Sequence, residues 1–202
     1  MAHGTEKTRS PLTVVFGVAV FLFYGLTESG WERHAPLVSS VLYASGIFLV
    51  GAASLGRMWC SLFIAGYKTR ALVTEGPYSM SRNPLYFFSF LGFAGIGLCT
   101  ETLLFPAVLL SGFALYFPRV IRGEEARLLE EHGEAYRAYA AATPRFFPRF
   151  SALREPAEYL VNPRIFRKNL PDALLFIWVA GLLEVAEALH HLGWLPVLLT
   201  VY

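Results

Sequence analysis

Apolar residues fall along this chain in long runs separated by polar stretches. The first run is Pro11–Leu26, PLTVVFGVAVFLFYGL, and the second is Pro36–Leu55. The third is Leu85–Leu98, LYFFSFLGFAGIGL, and the fourth is Thr102–Phe117. A fifth starts at Ala173 as ALLFIWVAGLL and passes through Glu184, Glu187, His190 and His191 to a last apolar piece, LGWLPVLLTVY. Runs of this length predict membrane helices, and a crossing takes about 20 residues, so the third and fourth must draw on their flanks. The pattern predicts an all-α fold: a polytopic transmembrane bundle of about five membrane helices. It divides into residues 1–66 with the N-terminal membrane helices, 67–150 as a central unit, and 151–202 as an interfacial segment and a further membrane helix.

Composition agrees with a bilayer as solvent. Hydrophobic residues make up 55% of the 202 and charged residues 16%, below the roughly 25% usual in soluble domains. Mean hydropathy is +0.47. A net charge of +2, with no basic patch interleaved with aromatics, excludes a nucleic-acid-binding surface. Cys60 and Cys99 form no CxxC and sit in or beside apolar runs, so they read as packed thiols. The five histidines lack zinc-ligand spacing, and no metal site is expected from them.

Charge between the runs sets topology. Lys7 and Arg9 precede the first run; TESGWERH follows it with no small-x-small cleavage site, which predicts a retained helix. Lys68, Arg70 and Arg82 lie between the second and third runs, and ten Lys and Arg residues lie between Pro118 and Leu170. The other two connections hold only Arg33 and no base at all. Basic and non-basic connections alternate, so the N-terminus, the 76–86 turn and the long polar segment are expected on one side, facing the cytoplasm. The membrane is a bacterial inner membrane or an endoplasmic reticulum.

Two polar segments carry candidate chemistry. In LVTEGPYSMSRNPLY, residues 72–86, Gly76-Pro77 favours a turn, and Asn83-Pro84 reads as an N-cap followed by proline at the first helical position. The free N–H groups of that helix start, with Arg82 beside them, suit an anion. Taken alone, the turn is read first as an interfacial arginine anchor and an ordinary helix start. In RGEEARLLEEHGEAYRAYAAATPRFFP, residues 122–148, Glu124 and Glu125 are expected in the first turn of a helix. Leu128, His132, Tyr136 and Tyr139 recur at spacings that predict one amphipathic face. The bland reading is an interfacial helix with solvated glutamates.

Taken together, RNPxY, EExxL, HGxxYxxY and TPRFFP, in that order around one hairpin, resemble the isoprenylcysteine carboxyl methyltransferase and phospholipid methyltransferase superfamily of integral membrane methyltransferases. The family pattern is roughly L-V-x-x-G-x-Y-x-x-x-R-H-P-x-Y, then E-E-x-x-L-x-x-x-F-G-x-x-Y-x-x-Y. Leu72, Val73, Gly76, Tyr78, Arg82, Pro84, Tyr86, Glu124, Glu125, Leu128, Gly133, Tyr136 and Tyr139 match it. Asn83 and His132 depart from it, standing where His and Phe are usual. The resemblance covers about residues 68–150.

It implies an S-adenosylmethionine-dependent methyltransferase acting on a lipid-like or prenylated acceptor that enters from the bilayer, with an isoprenylcysteine carboxylate favoured. It implies a cofactor pocket at the cytoplasmic interface, closed by an interfacial helix beginning at the Glu pair. Leu72 and Val73 would touch the adenosine part and Tyr78 would lie over the cofactor. Asn83, Pro84, Leu85 and Tyr86 would line its methionine part. Glu124 or Glu125 would bind its ammonium or ribose hydroxyls. Arg122, then Arg119, would face the acceptor's polar head. If the acceptor is an amine, it must lose a proton, and His132, Glu124 and Tyr86 are the candidate bases. The alternatives are a phospholipid amine N-methyltransferase, an NADPH-dependent membrane reductase of the sterol-reductase type, and a non-catalytic membrane scaffold.

The fifth run stands apart. Glu184, Glu187 and His191 fall at i, i+3 and i+7, on one helical face. Ionisable groups in hydrocarbon are costly, so that face is expected against protein, a polar cavity or the interface. Either the run breaks near His190–Gly193 and leaves these groups at the outer surface, or they line the acceptor cavity or a dimer contact.

Overall fold

A computed structural model describes residues 15–65 and 71–202, which form helices, their connecting loops and one small two-stranded ribbon. Helix α1 covers Val15–Tyr24. Strand β1, Thr27–Ser29, leads into the short α2, Gly30–His34. Then come α3, Pro36–Ile64; α4, Pro77–Met80; α5, Pro84–Cys99; and α6, Leu104–Ala142. After a 3₁₀ turn at Phe150–Ala152, α7 covers Pro163–Ala173 and α8 covers Leu175–His191. Strand β2, Leu199–Val201, pairs in parallel with β1. Lys7, Arg9, the start of the first run, Lys68 and Arg70 lie outside the described residues.

Among the described residues, three helices are long and apolar enough to cross a membrane: α3, α6, and α7 with α8 taken together; α1 and α5 are shorter apolar helices. The chain is a multi-pass integral membrane protein. The sequence placed all five, and two of them, α3 and α6, run past their expected ends for physical reasons. Helix α3 runs nine residues past Leu55, because Arg57 is buried and paired inside the bundle. It donates to the Ser89 hydroxyl on α5 and, at 2.5 Å, to the Asp172 carboxylate on α7, and its guanidinium lies 5.4 Å from the centre of the Phe176 ring on α8. One charge therefore ties four helices together.

Helix α6 also departs from expectation. It passes through Pro118 and the Glu pair without interruption, so Glu124 and Glu125 sit mid-helix, where no helix-dipole argument applies. The break falls instead at Gly133, with φ of +52°. That left-handed residue ends the single amphipathic face: Tyr136 and Tyr139 are buried, while Leu128 and His132 lie on the preceding helical piece and are half-buried.

The core is built where α3, α5, α6 and α8 meet α1: Tyr24, Val50, Ala53, Ile96, Phe105, Leu109, Phe176 and Leu183 form one buried cluster. Helices α3 and α5 touch through glycine. A Cβ on Gly46 would stand 2.7 Å from the Cys99 nitrogen, and one on Gly95 would stand 2.8 Å from the Val50 nitrogen. Small residues of this kind let membrane helices approach backbone to backbone. Cys60 and Cys99 are free and buried, as expected.

The expectation that the two polar segments share one end of the bundle holds. The Arg82 N–H donates to the Pro144 carbonyl at 2.8 Å, Arg149 N–H to Met80 at 3.0 Å, and Gly76 N–H to Arg154 at 2.8 Å.

Candidate functional site

The bundle carries a cavity at each end of α5. At its start, Gly76 takes φ of +58°, and a Cβ there would meet the Phe63 ring at 2.4 Å, so only glycine makes this turn. Pro77 opens α4, and Pro84 opens α5 at the first helical position. Asn83 sits at the N-cap, but its side chain does not cap. It donates instead to Glu125 Oε1 and to the Arg145 carbonyl, both at 3.0 Å. Glu125 also faces Arg82 at 3.4 Å and Arg145 at 2.9 Å. Tyr139 donates its hydroxyl to the Tyr78 carbonyl at 2.8 Å, and Ser81 donates to Phe146 at 2.9 Å. Burial holds the Tyr78 phenol well above its ordinary pKa, hence protonated.

The cavity here has a volume of about 150 Å³. Leu72, Val73, Tyr78, Arg82, Asn83, Pro84, Leu85, Tyr86 and Glu124 all line it. Glu125 stands behind it as a counter-charge for Arg82 and Arg145. Arg119 and Arg122 lie outside it: both are exposed on α6 and donate to the carbonyls of Leu115 and Pro118, one turn back. The Nε atoms of Arg82 and Arg127 are buried and have no hydrogen-bond partner among the described residues.

The other end holds a larger cavity, of about 540 Å³. Glu28 and Glu32 reach it from β1 and α2, Glu101 from the α5–α6 turn, and Glu187, His190 and His191 from the end of α8. His191 Nε2 lies 3.5 Å from Glu32 Oε1 and 3.8 Å from Glu187 Oε1. One ligand atom from each of these three residues falls within 4.8 Å of the others. Donors of a four-coordinate cation at about 2.1 Å stand about 3.4 Å apart; the two histidine–carboxylate separations are close to that, and closing the set on a divalent ion needs a side-chain adjustment of about 1 Å. His190 Nε2 faces the Gly25 carbonyl at 3.0 Å; a carbonyl only accepts, so that nitrogen donates a proton to it. Glu28 is paired with Arg33 at 2.6 Å, and Glu101 accepts from Ser39.

Sequence spacing misses this cluster because Glu32 and His191 come from opposite ends of the chain. The legible part was the Glu184–Glu187–His191 face, and its outcome is mixed. The helix ends at His191 and Gly193 turns back with φ of +71°, so the break falls where one reading put it. Glu187 and His191 face the cavity, while Glu184 accepts from Tyr43 at 2.9 Å.

Fold and site together define a multi-pass membrane protein with a carboxylate–imidazole cavity at one end. Over 183 residues, 91% of this chain and 84% of the relative, it is 41% identical to the nickel-cobalt-cadmium resistance protein NccN of Alcaligenes xylosoxydans xylosoxydans. Over 190 residues, 94% of this chain and 85% of the relative, it is 38% identical to the cobalt-zinc-cadmium resistance protein CzcN of Cupriavidus metallidurans. The chain belongs to the family of these two proteins. The phospholipid methyltransferase family pattern matches residues 37–135. No solved structure matches the chain significantly.

These findings correct the reading drawn from the motifs. The methyltransferase match stops at residue 135, whereas both relatives align over nine-tenths of the chain and are named for metal resistance. The assignments to the isoprenylcysteine carboxyl methyltransferase and phospholipid methyltransferase superfamily, to S-adenosylmethionine as cofactor and to a lipid-like or prenylated acceptor are therefore withdrawn, together with the enzyme class. A physical reason accompanies the correction. Glu125, expected to hold a cofactor, is already engaged by Asn83, Arg82 and Arg145. The Asn, Arg and Glu of the motifs knit the 76–86 turn to α6.

Proposed function

We propose that this protein acts in resistance to divalent transition-metal cations and binds such a cation as its substrate in the cavity of Glu32, Glu187 and His191. The observation that carries this reading is the convergence of those three side chains, from α2 and α8, in a chain related along nearly its whole length to NccN and CzcN. Glutamate and imidazole donors suit borderline divalent ions such as Zn²⁺, Co²⁺ and Ni²⁺. Glu101 and His190 add a carboxylate and a further imidazole at the same mouth, while Glu28 is balanced there by Arg33.

The alternation of basic and non-basic connections supports a direction. Five helices would span the membrane, with the 76–86 turn and the polar half of α6 at the cytoplasmic interface. The carboxylate–imidazole cavity would open on the opposite side. Residues 67–150 would form the unit that builds the cytoplasmic cavity, and Leu72, Val73, Tyr78, Arg82, Asn83, Pro84, Leu85, Tyr86 and Glu124 would wall a site for a small ligand. The unpartnered Arg82 Nε supports a ligand with an acceptor group there.

The test is thermal stabilisation of the purified protein by Zn²⁺, Co²⁺, Ni²⁺ and Cd²⁺, with Mg²⁺ as control. Binding to the folded state alone adds about 2.7 kcal/mol at a hundredfold excess over Kd. The expected result is a shift in the wild type that Glu32→Gln, Glu187→Gln and His191→Gln together abolish. An equal shift in the triple variant would place binding elsewhere and remove this reading of the cavity.

A further inference from the structure

The cation reading leaves the last eleven residues without a role, and they are closely fitted. Gly193 N–H donates to His190 at 2.9 Å and Trp194 N–H to Leu189 at 3.0 Å, which closes α8 and turns the chain back. The chain then crosses the end of the bundle. Leu198 N–H donates to the Leu26 carbonyl at 2.9 Å, β2 pairs with β1, and Leu104 N–H donates to the Tyr202 carbonyl at 3.2 Å. Thr200 Oγ1 donates to Glu28 Oε1 at 3.0 Å, and Val197 forms part of the cavity wall.

The contact with α2 is the tightest. The Tyr202 ring stands edge-on to Trp31, with centroids 5.3 Å apart. It also covers Gly30 so closely that a Cβ there would fall 2.3 Å from a ring carbon. Helix α2 has five residues and no side-chain cap at Ser29. A helix so short does not hold itself. Yet α2 carries Glu32, the one member of the three-residue cluster that is not on α8.

We infer that the C-terminal segment is a positioning strap for the cavity: Tyr202 seats α2 through Gly30 and Trp31 and so aims Glu32 at Glu187 and His191, while Thr200 fixes Glu28. The inference rests on the proposed cation site, but the seating of α2 is measurable without any cation. Tyr202 touches none of the three cluster residues through an ion pair or a hydrogen bond; it acts through the helix that presents one of them.

The experiment uses the full chain in detergent, with two readouts. Hydrogen exchange of the α2 amides is measured without metal, and Zn²⁺ affinity is measured by competition with a colorimetric chelator. In Tyr202→Ala, α2 should exchange at least about tenfold faster while central α3 amides stay unchanged, as for a locally released segment. Zn²⁺ affinity should fall about tenfold or more, the range for residues that orient a metal ligand. Tyr202→Phe should restore both. In a Glu32→Gln background, Tyr202→Ala should cause no further loss, because both changes act on the same carboxylate. If Tyr202→Ala does not fold, Tyr202→Leu keeps the apolar bulk and removes the ring edge. Unchanged α2 exchange would overturn the strap whatever happens to affinity. So would a further affinity loss on top of Glu32→Gln. A wild-type protein that binds no Zn²⁺ would remove the cation site, and the exchange measurement would still decide the strap.

Discussion

Gly46 and Gly95 set how closely α3 and α5 approach, and replacing either with alanine measures that contact. The added carbon on Gly46 would stand 2.7 Å from the Cys99 nitrogen and 2.8 Å from the Gly95 oxygen. On Gly95 it would meet the Val50 nitrogen at 2.8 Å and the Gly46 oxygen at 2.9 Å. Four of the contacts are backbone atoms of helices, which cannot rotate away, so the helices must separate. Overpacking of this kind costs about 1–3 kcal/mol. Alanine also favours the helix over glycine by up to about 1 kcal/mol, so a raw effect underestimates the clash. Gly51 supplies the control: it lies on the same α3 and nothing stands within 4 Å of its added carbon. The quantity to read is therefore the difference between Gly46→Ala and Gly51→Ala. Unfolding in mixed micelles against denaturing detergent should give about 1–3 kcal/mol for that difference. The same sign is expected for Gly95→Ala. Equal stability for all three variants would refute the backbone-contact reading of the α3–α5 seam.

Three further outcomes follow from named contacts. Glu125→Gln should lower stability by about 1.5–3 kcal/mol, the scale of a hydrogen bond to a charged group, because it removes the anion shared by Arg82 and the half-exposed Arg145; an unchanged melting curve would make the network decorative. Arg57→Leu should destabilise by about 3 kcal/mol or less, since Asp172 is exposed enough to be solvated once its partner is gone; a loss well above that would mean the carboxylate is dry. Cysteines introduced singly at Glu75 and Ser151, both exposed, should label from the same side of a sealed vesicle, and one at the exposed Leu103 from the other; labelling of positions 75 and 103 from one side would break the topology.

Much of the fold was legible because a bilayer imposes long apolar runs, and those runs survive in the sequence whatever else changes. What was not legible depended on tertiary pairing. Arg57 reads as the end of an apolar run, yet it continues α3 because Asp172, Ser89 and Phe176 meet it there. The Glu pair reads as a helix start by its charge, yet α6 arrives already helical from Leu104 and uses Glu125 to neutralise two arginines from outside the helix. Gly133 was visible only as part of a motif, and its left-handed backbone, not the Glu pair, is what divides α6.

The candidate site divides along the same line. Residues 72–86 converge on one cavity because the turn geometry is local: Gly76, Pro77 and Pro84 fix it within nine residues, and local geometry is what a motif records. The carboxylate–imidazole cluster has no local geometry. Glu32 is an isolated acid after the first apolar run, and Glu187 and His191 are polar intrusions in the last; only the closing of the bundle, with the C-terminal strap laid over α2, makes them neighbours. The ionisable residues of the last apolar run are costly to the span that carries them; Glu184 and His190 pair with Tyr43 and the Gly25 carbonyl, while Glu187 and His191 face the cavity. In this chain those interruptions, more than the motif, are the sequence signal that leads to the cavity proposed to bind metal.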